Sequence, residues 1–405
     1  MSVLDAILSE LARLRSGDEP IVSLYLDIRW SDEQQRDRVR LFLREELRRT
    51  RLRYREGSPG REGLLRTLVR MQRYVSERGR LADQNGLALF ASEALGLWRP
   101  FFFHHSFRPE LCTDHVPHLK QLARLADDGR PALVVVVDSN GAELYQVLLG
   151  ALTVEESLRG FVPRRDKDEY NPGAAAHGRH FEREEKDVRH AETFVQRNRR
   201  RVVQEAEVLH ARLPGSRLVL MGTAGNVAAF ERELPGRLRA AVIARMPRPR
   251  RWESGNGSRK VAVVAGAQAA LRECDRQAEA ETVERVVKES LHGGLAVLGP
   301  DDVVAAVNEG RVERLVLEED FARAGWRCTH CDALGPDAEA AEVCPYCGGA
   351  LAVVHHLDEA LVARTIGEGG AVEVVSHSNR LHSYDSVGAF LRQTSGTLRG
   401  SIAPA

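Results

Sequence analysis

The chain has 405 residues, 43% of them hydrophobic and 29% charged, which is ordinary for a folded protein and wrong for a disordered one. No run approaches 18 consecutive apolar residues, which excludes a membrane-spanning helix on length. The formal net charge of zero hides an uneven distribution: only five of the 58 basic residues are Lys, and Arg36 to Arg80 holds 15 Arg against six acidic residues, a local charge of +9.

The first twenty residues carry Asp5, Glu10 and Asp18 and no basic leader. They read as an amphipathic helix, which predicts a cytoplasmic protein. Pro20 to Asp27 is β-rich. Two Arg-rich helical stretches follow, broken near Gly57-Ser58-Pro59-Gly60. Asn85-Gly86 predicts a turn, and Leu87 to Phe90 a strand. The first domain is placed at 1–128.

A second domain, 129–257, opens with Pro131 to Asp138, a β-branched run that predicts a central strand buried on both faces. Asn140-Gly141 gives a turn into the partner strand Ala142 to Val147. A polar helix from about Phe181 to Leu213 leads to a buried strand, Arg217 to Gly222, and then a helix through Phe230. The third domain, 258–405, begins with a helix to His292 and continues with a helix over Asp301 to Glu309 and a strand, Arg314 to Leu317. Beyond a cysteine cluster come a helix near Leu361 to Thr365, a strand Ala371 to Val375 and a last element over Ser386 to Leu391. The fold class is therefore α/β and α+β, multidomain.

The strongest local motif is Cys328-Thr329-His330-Cys331, twelve residues, then Cys344-Pro345-Tyr346-Cys347-Gly348-Gly349. Two C-x-x-C knuckles complete a tetrahedral thiolate shell, so a zinc ribbon is predicted over 326–352, with one structural Zn²⁺ and no open coordination position. Cys112 and Cys274 stand alone and read as core fillers.

The Arg-rich segment, with Arg48, Arg49, Arg51 and Arg53 at its centre, has two readings. One is a solvated helical face; the other is a phosphate-binding surface, because guanidinium groups pair with phosphates in a bidentate way. Arg199, Arg200 and Arg201, with Arg197, form a second basic cluster.

Gly294 to Gly299, Val307 to Leu317, the four-cysteine insertion after them, and Gly370 to Ser376 with Val387 to Arg392 resemble the C-terminal domain of the archaeal and eukaryotic class I release factor and Pelota family. Val22 to Leu26 and Asn85 to Phe90 resemble its N-terminal domain, and Leu133 to Val147 with Leu218 to Phe230 its middle domain. The resemblance implies a three-domain architecture with the ribbon in the last domain. It also implies ribosomal RNA at the A site and peptidyl transferase centre as partner, a translational GTPase such as elongation factor Tu, and no membrane.

The family's hydrolytic Gly-Gly-Gln occurs nowhere in the chain. Aligning on Phe181 puts Ala174, Ala175 and Ala176 in its place, within a loop at 164–183, with His177 and Arg179 beside them as polar groups that would meet RNA. Alanine has no polar group to orient water and does not readily take the φ > 0 conformations open to Gly. The expectation is a factor that occupies the A site in hibernation or rescue without peptidyl-tRNA hydrolysis, with no catalytic residue assigned. The competing reading is a peptidyl-tRNA hydrolase or RNA-cleaving rescue factor that uses a non-standard loop residue.

Overall fold

A computed structural model of the chain describes residues 3–30, 32–78, 84–138, 140–148, 151–160, 179–248, 256–337 and 342–392. Two compact units emerge: Met1–Asp128 with Arg276–Ala405, and Gly129–Asp275. The first and third predicted segments thus share one unit.

In the first unit the chain runs α1 (Val3–Leu11), β1 (Ile21–Asp27), α2 (Glu33–Arg53), α3 (Arg61–Arg78), β2 (Gly86–Ser92), β3 (Leu97–Phe103), β4 (Glu110–Asp114) and α4 (Lys120–Asp128). The strands form an antiparallel sheet in the order β3-β2-β1-β4. Alternation along β1 sends Val22, Leu24 and Leu26 to one face, where they meet Val39, Leu43 and Leu47 of α2 and Leu64, Leu68, Met71 and Val75 of α3. Those helical residues recur every three to four positions, the spacing of a single buried stripe. Asp32 caps α2 by accepting from the Gln34 amide, and Gly57 and Gly60, at φ 81° and 71°, make the break before α3.

Asn85-Gly86 does not turn a hairpin. Gly86 instead opens β2, because a Cβ there would lie 2.2 Å from the His105 carbonyl oxygen.

The second unit holds β5 (Ala132–Val137), β6 (Gly141–Leu148), β7 (Ala151–Arg159), α5 (Arg179–Arg212), β8 (Arg217–Met221), α6 (Ala224–Glu233), α7 (Gly236–Ala240), β9 (Val242–Met246) and the start of α8 (Asn256–Leu291). Its sheet runs β7-β6-β5-β8-β9, parallel from β5 through β9 and antiparallel on the other side. Leu133, Val135 and Val137 pack under α5 and α6 against Ala206, Leu209 and Phe230, while Ala132, Val134 and Val136 face Val263 and Ala267 of α8. The central strand is therefore covered on both faces, as its unbroken apolar run requires.

The rest of the first unit comprises β10 (Ala296–Leu298), α9 (Pro300–Asn308), β11 (Val312–Glu318), β12 (Gly325–Cys328), β13 (Leu334–Gly335), β14 (Leu351–Val354), α10 (Leu357–Gly367), β15 (Ala371–Val375), α11 (Asn379–His382) and β16 (Val387–Leu391). One sheet runs β10-β16-β11-β15, with Val283, Val286 and Val287 of α8 buried against Val316, Val375 and Phe390. The other, β13-β12-β14, carries the cysteines. No described helix is long and apolar enough to cross a membrane.

Candidate metal centre and RNA-facing surfaces

The four cysteines meet at the end of the small sheet. Cys328 closes β12, and the amides of His330 and Cys331 point at its sulfur from 3.3 and 3.4 Å. In the second knuckle the Gly348 amide donates to the Cys344 carbonyl at 2.8 Å, with Gly348 at φ 71°. A Cβ at Gly349 would stand 3.2 Å from Cys328 Sγ and 3.3 Å from Cys347 Sγ, so that glycine keeps the space beside the sulfurs open. Sγ–Sγ separations are 3.5 Å for Cys328–Cys347 and 3.6 Å for Cys331–Cys344. A tetrahedron of thiolates about 2.3 Å from a zinc-sized ion has edges of roughly 3.8 Å, so the set closes on such an ion with little movement.

The amides of Cys331 and His330 pull the Cys328 thiol down to about 6. Against the Gly349 amide, contacts with Cys331 and Cys328 push the Cys347 thiol up to about 12. Four sulfurs this close cannot all ionise without a cation between them, and a divalent ion is what the donor set fits. Asn308 of α9 fastens the ribbon by exchanging hydrogen bonds with the backbone of Leu334, and Arg364 of α10 by donating to the Asp332 carbonyl at 2.8 Å.

On α2 the arginines all point outward, but they are not equivalent. Arg48 and Arg49 are held by Glu45 and Glu46 at 2.9–3.2 Å, one turn away. Arg38 pairs with Asp32 and Arg40 with Asp37. Arg36, Arg44, Arg51 and Arg53 are exposed and make no ion pair among the described residues. On α3, Arg66 pairs with Glu93, Arg73 with Glu77, and Arg70 lies over the Trp98 ring at 4.0 Å. The described guanidinium groups left without a carboxylate are thus found mainly on α2.

Ala174, Ala175, Ala176 and His177 lie outside the described residues, and of Arg179 only the backbone, as the first residue of α5, is described. Farther along α5, Arg199 is half-buried and pairs with Glu233 at 3.5 Å, while Arg200 and Arg201 are exposed without an ion pair among the described residues.

A buried polar cluster lies where β4 and the start of α4 meet α10, and the sequence pattern did not single it out. Cys112 belongs to it; it is half-exposed and donates to Glu110 at 3.2 Å, so it is not an apolar core filler. His118 is 1% exposed; its backbone amide donates to Ser23 Oγ and its carbonyl accepts from Tyr25 Oη at 2.7 Å. Around its ring stand Asp114 at 3.4 Å, Glu110 at 3.5 Å and Glu359 at 4.0 Å. Glu359 accepts from the amides of Leu119 and Lys120, capping α4 from another element, and Lys120 reaches Asp358 at 2.5 Å. Burial pushes Glu359 up to about 7. Burial also opposes ionisation of Glu110, but the close approach of His118, 3.5 Å away, overrides it and brings that carboxyl to about 2. These residues sit far apart in sequence, so only their isolated Cys and His offered a signal.

The fold and the four-thiol cluster define a multidomain α/β protein with a ribbon in its last third. Residues 117–270 match the profile of a family described as bacterial archaeo-eukaryotic release factor family 10. Peptide chain release factor subunit 1 of Methanocaldococcus jannaschii is 27% identical over 146 residues, covering 30% of this chain and 34% of that protein. The match therefore spans about a third of the relative's length. Among solved structures, a crystal structure of an archaeal translation termination factor is similar at 20% identity and a TM-score of 0.25, over 96% of this chain and 97% of that one. Ribosome-bound archaeal Pelota is similar at 15% identity and a TM-score of 0.39, over 73% and 72%. Over residues 117–270 the chain is similar to release factors of the archaeo-eukaryotic type.

Proposed function

We propose that this protein is a cytoplasmic ribosome-binding factor that occupies the A site, in hibernation or rescue, and does not hydrolyse peptidyl-tRNA. One observation carries the reading: a chain matched to a release-factor family over residues 117–270 contains no Gly-Gly-Gln. In this reading the exposed, unpaired arginines of α2 meet ribosomal RNA phosphates, with Arg200 and Arg201 as a second contact. Ala174, Ala175, Ala176, His177 and Arg179 enter the peptidyl transferase centre and pack against bases and phosphates. The three functional modules are 1–128, 129–257 and 258–405, delivered by a translational GTPase of the elongation factor Tu type. The four thiols hold one structural zinc ion, which stabilises the last module and takes no part in chemistry.

Two measurements test this. Co-sedimentation with ribosomes should place the protein on the 70S particle, in competition with A-site tRNA. Peptide release from a defined peptidyl-tRNA in the P site should stay at background. Release well above background, lost on His177→Ala or Arg179→Ala, would overturn the occupation reading in favour of a hydrolase.

A further inference from the structure

Within the buried cluster, one ligand atom each of Cys112, His118 and His356 lies within 4.8 Å of the others. Cys112 comes from β4, His118 from the approach to α4, and His356 immediately precedes α10. The His118 Nδ1 is buried and has no hydrogen-bond partner. Its other nitrogen, Nε2, is turned to Asp114 Oδ2 at 3.4 Å, the carboxylate–imidazole arrangement that orients a metal-ligating histidine. Glu110 Oε1 stands 3.2 Å from Cys112 Sγ and 3.5 Å from His118 Nδ1.

We propose that Cys112, His118 and His356 form a second divalent-metal site, distinct from the ribbon, that ties β4 to α10. A thiolate and two imidazoles favour zinc over the harder calcium or magnesium. Cys112 and His356 are each half-buried and not enclosed, which leaves a path for the ion to enter. Lys120 is engaged by Asp358 and the Phe321 carbonyl, so its ammonium is held away from the donors.

The test is metal stoichiometry of the full-length protein after zinc loading, by native mass spectrometry and elemental analysis. Two equivalents are expected for the wild type. Cys112→Ser and His356→Gln should each retain one, as should Cys344→Ser, and the Cys112→Ser/Cys344→Ser pair should retain none. Cobalt(II) replacement adds a readout that does not depend on how well a variant folds. The wild type should show a one-thiolate spectrum superimposed on the four-thiolate spectrum, and Cys112→Ser should lose the former alone. A wild type that saturates at one equivalent, lost in Cys344→Ser and kept in Cys112→Ser, would overturn the second site and leave the ribbon intact.

Discussion

Replacing Arg51 and Arg53 by Gln removes two guanidinium groups that no carboxylate among the described residues neutralises, whereas replacing Arg48 and Arg49 removes two already paired with Glu45 and Glu46. If α2 lies on RNA phosphates, each unpaired Arg releases counterions on binding and adds about 0.7–0.9 to the slope of log affinity against log salt. The Arg51/Arg53 variant should therefore lose roughly 1.5 from that slope, so from about 50 to 200 mM salt the wild type weakens roughly eightfold more than the variant. The Arg48/Arg49 variant should lose less than half as much, because its guanidinium groups first have to leave their glutamates. Both pairs are exposed, so unfolding stability should move by less than about 0.5 kcal/mol. Binding of labelled protein to purified ribosomes across a salt series reads the slopes directly. Equal slope changes in the two variants, or no change in either, would show that α2 faces solvent and that contact lies elsewhere.

Cys344→Ser should lower bound metal by about one equivalent and expose the small sheet to proteolysis, since a structural metal supplies folding free energy directly. Gly349→Ala would put a methyl group 3.2 Å from Cys328 Sγ and 3.3 Å from Cys347 Sγ; chelator competition should show metal affinity reduced about tenfold or more. Phe230→Ala empties a fully buried site between α6 and β5 and should cost about 3–5 kcal/mol, read as loss of amide exchange protection in β5 and β8 while β1 and β2 keep theirs.

Elements with one dominant physical signal were legible in the sequence. The run Ala132 to Val137 could only be a strand covered on both faces, and Cys328, Cys331, Cys344 and Cys347 announced their own geometry. The division among the α2 arginines was also written there, since Glu45 and Glu46 stand three and four residues before Arg48 and Arg49, the spacing at which helical side chains meet. The short strands were not legible. Glu110 to Asp114 mixes an acid at each end with a thiol and a hydroxyl, because its side chains pair with His118, Gln121 and Tyr54 instead of packing in an apolar layer. No periodicity reports such a strand. Asn85-Gly86 misled for a related reason: its glycine answers to the nearby His105 carbonyl, a tertiary contact, and not to a turn.

The bonds from Glu359 to the amides of Leu119 and Lys120 join parts of the chain some 240 residues apart. During synthesis, α4 therefore waits for its cap until α10 has been made. Gly129–Asp275 is a contiguous unit and lies wholly between the two halves of the other. A contiguous unit has all its residues once its own segment has cleared the exit tunnel, whereas the unit split between the two flanking segments of sequence cannot close until α10 arrives. A chain stopped before α10 should carry an α4 whose Leu119 and Lys120 amides have no carboxylate acceptor, which amide exchange at those two positions would report.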